Sequence, residues 1–195
     1  MKTTKLIPVL VASLLAVPVF AQSLAGAARV DVNQQVRIDN GLASGQLNSR
    51  EAARLEHQQG KISRVEANAM ADGKVNAAEQ ARIDKLQDKA SRDIYREKHD
   101  GQTGNPGSAS SQRMQADVQR NIHQEQRIGA GLKDGSLTTR EAARLERGQA
   151  RVEQREARAG RDGVVGKAEQ AGIQRAEARQ SVRIHHERHD RRHGG

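Results

Sequence analysis

The chain of 195 residues contains no cysteine and no tryptophan, and has a single tyrosine and a single phenylalanine. Without cysteine there are no disulfide staples, no thiolate nucleophiles and no thiolate metal sites. Without aromatics there are no ring platforms on which single-stranded nucleic acid could stack. The supply of large core side chains is also short. Beyond the first 21 residues, Leu, Ile and Val together make up about one residue in seven, below the roughly 20% of a well-cored domain. Alanine fills the gap, favouring helix while burying little apolar area. Helices that form easily and pack weakly are expected. Catalytic signatures are missing too: there is no Gly-x-Ser-x-Gly elbow, no Walker loop and no His-Glu-x-x-His pair. The sequence reads as a non-enzyme.

Residues 1–21 have the layout of a secretory signal peptide. Lys2 and Lys5 form the positive end, the run from Leu6 to Val17 the apolar core, and Val19-Phe20-Ala21 the small-residue cleavage point. The run is shorter than the roughly 20 residues of a membrane span, and no cysteine follows to carry a lipid. Cleavage after about Ala21 would deliver the mature chain to the periplasm. The formal charge of +9 then falls to +7, because Lys2 and Lys5 leave with the signal. The excess lies in the second half, nearly all of it arginine. Export argues against nucleic acid as the partner. Lipopolysaccharide phosphates and anionic lipid are the polyanions of the envelope, and guanidinium groups suit them.

What the chain has in plenty is repetition. Arg37 to Asp100 aligns without gaps onto Arg127 to Asp190, with close to half the positions identical. The implied organisation is a signal peptide over 1–21, a first helical repeat over 30–100, a flexible Gly- and Ser-rich linker over 101–113, a second repeat over 114–190 and a basic, His-containing tail over 191–195. In the first copy, periodicity predicts helices at about 30–43, 49–68 and 77–98. Leu55, Ile62, Val65 and Ala69 share one face, and Ile83, Leu86, Ala90 and Ile94 another. The remaining faces, with Glu51, Arg54, Arg82 and Lys85 as examples, read as solvated and mixed in sign. The expected fold is all-α, two copies of a three-helix unit joined by the linker.

Each copy carries two loops of one pattern: Gly-x-apolar, a capping residue, then x-x-Glu. They are centred on Gly45, Gly73, Gly135 and Gly163. Capping explains the pattern by itself, because Asn48, Asn76 and Thr138 are good N-caps and Glu51, Glu79 and Glu141 stand at the third helical position of a capping box. The pattern also resembles a degenerate EF-hand, and each copy a paired EF-hand lobe. The resemblance implies Ca2+ ligands at Asn68, Asp72, Asn76 and Glu79 in the second loop and at Asp134, Thr138 and Glu141 in the third. It departs at the third ligand position, occupied by Leu42, Met70, Leu132 and Gly160, and at the first, where the fourth loop has Arg158. Any calcium affinity implied is weak, about millimolar.

The tail offers a second metal-ligating pattern. On a continued helix, His185, His189 and His193 stack at i, i+4, i+8, with His186 beside them, a spacing that suits Zn2+, Cu2+ or Ni2+. Weak divalent-metal binding in the envelope is therefore the leading expectation from sequence. Its alternatives are a stress-chaperone-like interaction protein with no metal site and Arg-mediated binding of an envelope polyanion. A weak core also leaves pairing of helices between chains, and hence an oligomer, open.

Overall fold

The structure, a computed structural model, describes residues 19–190, with side chains from Ser23 onward. The described residues form six helices and no strand: α1 (Val19–Ser44), α2 (Ser49–Ala69), α3 (Ala77–Lys98), α4 (Ala109–Asp134), α5 (Thr139–Ala159) and α6 (Lys167–His189). None of these helices is long and apolar enough to cross a membrane. The chain is all-α.

Local chemistry sets the helix starts. Asn48, Asn76 and Thr138 each accept from the backbone at the third helical position of the helix that follows, and Glu51, Glu79 and Glu141 reach back to the N-cap N–H. Gly45, Gly73, Gly135 and Gly163, the glycine of each turn, all have positive φ, between 75° and 94°, a conformation that a side chain disfavours. α1 begins well before the expected residue 30, because Leu24 and Ala27 are buried against the second copy. Cleavage after Ala21 would trim only its first turn. α4 begins at Ala109 on a Ser108 cap, so residues 109–113 are helix rather than linker. The rest of the connection is docked. Gly104 donates to the Gly45 carbonyl at 2.8 Å and lies so close to the first loop that a Cβ would stand 2.2 Å from the Leu47 oxygen.

The largest helix interfaces join the copies: α2 packs on α5 and α1 on α4. Both pairs are antiparallel. Gly160, at the end of α5, abuts Ala53 and Ser49 at the start of α2, and Gly129 on α4 abuts Ala28 on α1. α2 and α5 cross closely at Gly60, where an added Cβ would lie 3.3 Å from the Ala150 oxygen. Residues of both copies therefore build both apolar clusters. One joins Leu24, Val75 and Ile83 to Ile128, Leu137 and Ile184. The other joins Ile38, Leu47 and Ile94 to Met114, Val165 and Ile173.

This arrangement differs from a paired EF-hand lobe, in which two loops of one copy sit side by side. Here the 21 residues of α2 separate the two loops of its copy by about 30 Å at 1.5 Å per residue. Each loop instead shares a cluster with a loop of the other copy: Leu47 with Val165, and Val75 with Leu137. Two symmetric hydrogen bonds fix the exchange, Arg50 to the Asp162 carbonyl and Arg140 to the Asp72 carbonyl, both at 2.8 Å.

Because neither cluster belongs to one copy, a fragment of residues 22–100 should show no cooperative thermal transition by circular dichroism. Mixing it with a fragment of residues 109–195 should restore one. A cooperative melt of either fragment alone would mean that each copy folds by itself.

Candidate functional site

On α2 and α5, charge is sorted completely by sign. All seven glutamates of the two helices, Glu51, Glu56, Glu66, Glu141, Glu146, Glu153 and Glu156, are buried. All ten lysines and arginines, from Arg50, Arg54, Lys61 and Arg64 on α2 to Arg140, Arg144, Arg147, Arg151, Arg155 and Arg158 on α5, are exposed. The face expected to be mixed is cationic, and Glu51 lies inside it. The spacing explains the sorting. Positions 50, 54, 57, 61 and 64 repeat every three or four residues, as do 140, 144, 147, 151, 155 and 158, so each set forms one stripe along its helix. A groove of about 920 Å3 runs between the α2 stripe and the end of α5, and its lining includes Arg50, Arg54, Lys61, Arg64, Arg158 and Arg161 but no carboxylate.

Beneath this face lies a layer of buried acids and amides that the reading of apolar periodicity missed. It falls into two matched sets of four, each drawing one side chain from α1, α2, α4 and α5. In one set, Gln35 donates to Glu56 at 3.1 Å and Asn121 donates to Glu156 at 2.8 Å. Each amide N–H reaches one oxygen, Oε2, of its carboxyl. The other set has the same geometry by the internal symmetry, but acids replace both amides: Asp31 stands where the second copy has Asn121, and Glu125 where the first has Gln35. Asp31 bonds Glu66, and Glu125 lies beside Glu146. Gln87 on α3 donates to Asp31 at 2.9 Å and to Glu66 at 3.3 Å. Between the sets, Ser63 donates to Glu153 at 2.7 Å.

Among the described residues, no ion pair reaches Asp31, Glu56, Glu66, Glu125, Glu146, Glu153 or Glu156. Burial therefore dominates their titration, since a desolvated carboxylate without a counter-charge favours its neutral form. Burial pushes Asp31 up to about 6, against hydrogen bonds from Glu66 and Gln87. It pushes Glu56 up to about 7, against hydrogen bonds from Gln35 and Glu156. Glu66, Glu125, Glu146, Glu153 and Glu156 are raised well above the ordinary glutamate range, by burial and then by one another's charge. At the margin, Glu177 rises to about 8 through burial and the nearby Asp117, even though Arg120 pairs with both. A proton held by Glu66 and accepted by Asp31 supplies the hydrogen bond that the amide of Asn121 supplies to Glu156 in the other set.

The loop residues chosen from sequence are largely occupied as caps. Asp72 accepts from Lys74 N at 2.9 Å, and Asn76 accepts from Ala78 N and Glu79 N at 2.9 Å each. Glu79 Oε2 returns to Asn76 N, and the small cavity that Asn68 and Glu79 line is shared with Arg82. Asp134 accepts from Ser136 and from Arg188, while Thr138 and Glu141 complete a capping box. In the tail, the His185 and His189 rings lie 4.2 Å apart, and His189 Nδ1 sits 2.7 Å from the His185 carbonyl. Tyr95 and His99 repeat this arrangement in the first copy, at 4.1 Å and 2.7 Å. Since a tyrosine takes the same place, the stack is a feature of how the helix ends. His186 is exposed, and His193 lies outside the described residues. Among the described residues, no histidine belongs to a group of three facing ligand atoms.

A signal for the acid layer was present in the sequence. Gln34, Glu56, Gln59 and Glu66 recur as Gln124, Glu146, Gln149 and Glu156, and on α2 the steps of Glu56, Gln59 and Glu66 put them on the inner face with Leu55 and Ile62. No protein-family model, curated protein or solved structure matches this chain.

The raised carboxyls set the direction of the pH response. Their folded-state values exceed the unfolded ones, so the stability they contribute is complete below about pH 4.5 and is lost as pH rises through the folded values, about 6 for Asp31, 7 for Glu56 and 8 for Glu177. The melting midpoint should fall steadily from about pH 5 to pH 8. The double substitution Asp31→Asn with Glu125→Gln, which rebuilds the amide set in the acid set, should flatten that slope and raise the midpoint at pH 8 by about 5–10 °C. A midpoint that rises from pH 5 to pH 8 would contradict the assignment.

Proposed function

We propose that this is an exported, non-enzymatic protein that lies on phosphate-bearing surfaces of the cell envelope through the outer face of α2 and α5. One observation carries the reading: ten exposed cations on two adjacent helices, with every glutamate of those helices turned inward. An ordinary amphipathic surface helix intersperses acids that screen its cations and pair with them. Here the glutamates of both helices are turned away from the face and buried. Coulomb attraction to an anionic surface contributes about 1 kcal/mol per basic residue, and guanidinium pairs two N–H groups with phosphate oxygens.

The chaperone-like alternative needs an apolar surface. The exposed large hydrophobics among the described residues are Val36, Tyr95, Val164 and Val182, which lie on different helices and loops and carry no contiguous patch.

The mature chain should co-sediment with vesicles of phosphatidylcholine containing phosphatidylglycerol, but not with phosphatidylcholine alone. Binding should weaken steeply with added salt. Replacing Lys61, Arg64, Arg147 and Arg151 with Gln should weaken it by about a thousandfold at low salt without moving the melting midpoint. Equal binding to neutral vesicles, or binding unchanged by the four substitutions, would rule the proposal out. Binding to soluble polyphosphate but not to vesicles would keep the face and replace the membrane with a polymer.

A further inference from the structure

We propose that each copy carries a site for a hard divalent cation, of the Ca2+ or Mn2+ class, formed by Glu51, Glu97 and Asp100 in the first and by Glu141, Glu187 and Asp190 in the second. This goes beyond surface binding and does not depend on it.

In each set, one carboxyl oxygen per residue lies within 4.8 Å of the others, about the span of two oxygens on opposite sides of a cation at 2.3–2.6 Å. The chain path explains the meeting. α2 leads away from the first loop and α3 returns, so the end of α3 comes back to the start of α2. The N-terminal glutamate of one helix thus meets the C-terminal acids of the other. Three carboxylates form an all-oxygen donor set that suits Ca2+, Mg2+ or Mn2+ and lacks the nitrogen and sulfur ligands preferred by Zn2+ and Cu2+.

Two further features set these acids apart from an ordinary surface cluster. Glu51 is fully buried. Its Oε2 accepts the Asn48 N–H at 2.9 Å, while its Oε1 has no hydrogen-bond partner. A buried, unpartnered carboxylate oxygen inside a ligand cluster is a group waiting for a positive charge. The second observation is repetition. All three acids recur at the same offset in the second copy, where Tyr95 and Arg96 of the adjoining turn have become His185 and His186.

Local cations grade the two sites. Arg54 pairs with Glu97 at 2.9 Å, whereas its counterpart Arg144 stands 3.9 Å from Glu187. The first trio with Arg54 has a net charge of about −2, which a divalent ion balances. The end of a helix also adds negative partial charge from its last carbonyls.

The test is Mn2+ titration of the mature chain after chelation, without lipid, with free Mn2+ followed by its electron paramagnetic resonance signal. The prediction is two ions per chain, both displaced by Ca2+. Asp100→Asn and Asp190→Asn should each remove one, and the double variant should bind at least tenfold more weakly, with its melting midpoint in chelator unchanged. These positions leave the capping glutamates intact. No loss of the free Mn2+ signal up to about a millimolar, or undiminished binding by the double variant, would overturn the proposal. Stoichiometry that drops on deleting residues 185–195 but not in the double variant would move the ion to the histidines and overturn it equally.

Discussion

The whole structure depends on how carboxyl groups are kept between α2 and α5. Helices that face each other with glutamate can pack only if the charge is removed or shared, because an isolated buried carboxylate is far too costly. The chain uses two solutions side by side. Around Glu56 and Glu156, the amides of Gln35 and Asn121 donate hydrogen bonds. Around Glu66 and Glu146, the partners are Asp31 and Glu125, and protons take over the amides' role. Burial raises the carboxyls of both sets, Glu56 and Glu156 as well as Asp31 and Glu66, so the centre of the molecule holds together best in acid.

The same placement accounts for the surface. Seven glutamates used inside leave ten arginines and lysines outside without interspersed acids. An overall charge of +9 is modest. Concentrating cations on one face while sinking the adjacent acids turns it into a directional field. The apolar clusters occupy the two ends, each drawn from both copies, and the polar layer fills the middle. The thin apolar composition is thereby explained: the centre of this fold is sealed by hydrogen bonds and protons more than by leucine.

Much of the local structure was legible in the sequence. The Asn48, Asn76 and Thr138 caps and the glycine turns fall where the pattern put them, because capping is a short-range matter of one side chain and its nearest N–H groups. Leu55, Ile62 and Ile83 are buried as their periodicity requires, although Gln87 replaces Leu86 as the fully buried residue of its turn. Long-range features were not legible. Nothing in the spacing of two loops along one copy says that a 21-residue helix holds them apart and that each finds its neighbour in the other copy. Glu51 was misread for a different reason: polarity is an unreliable guide to exposure when a helix buries its acids, and only the recurrence of Glu56 and Glu66 as Glu146 and Glu156 marked those positions as special.

The central claim is that several core carboxyls carry protons in the folded protein at neutral pH. Infrared spectroscopy in heavy water reads this directly, since the C=O stretch of a protonated carboxyl is separate from the bands of carboxylate and backbone. At pH 7 the folded chain should show a protonated-carboxyl band that disappears on unfolding in denaturant at the same pH and shrinks in the Asp31→Asn, Glu125→Gln variant. A folded chain at pH 7 with no such band would mean that the buried acids are ionised, and the account of the core would fail.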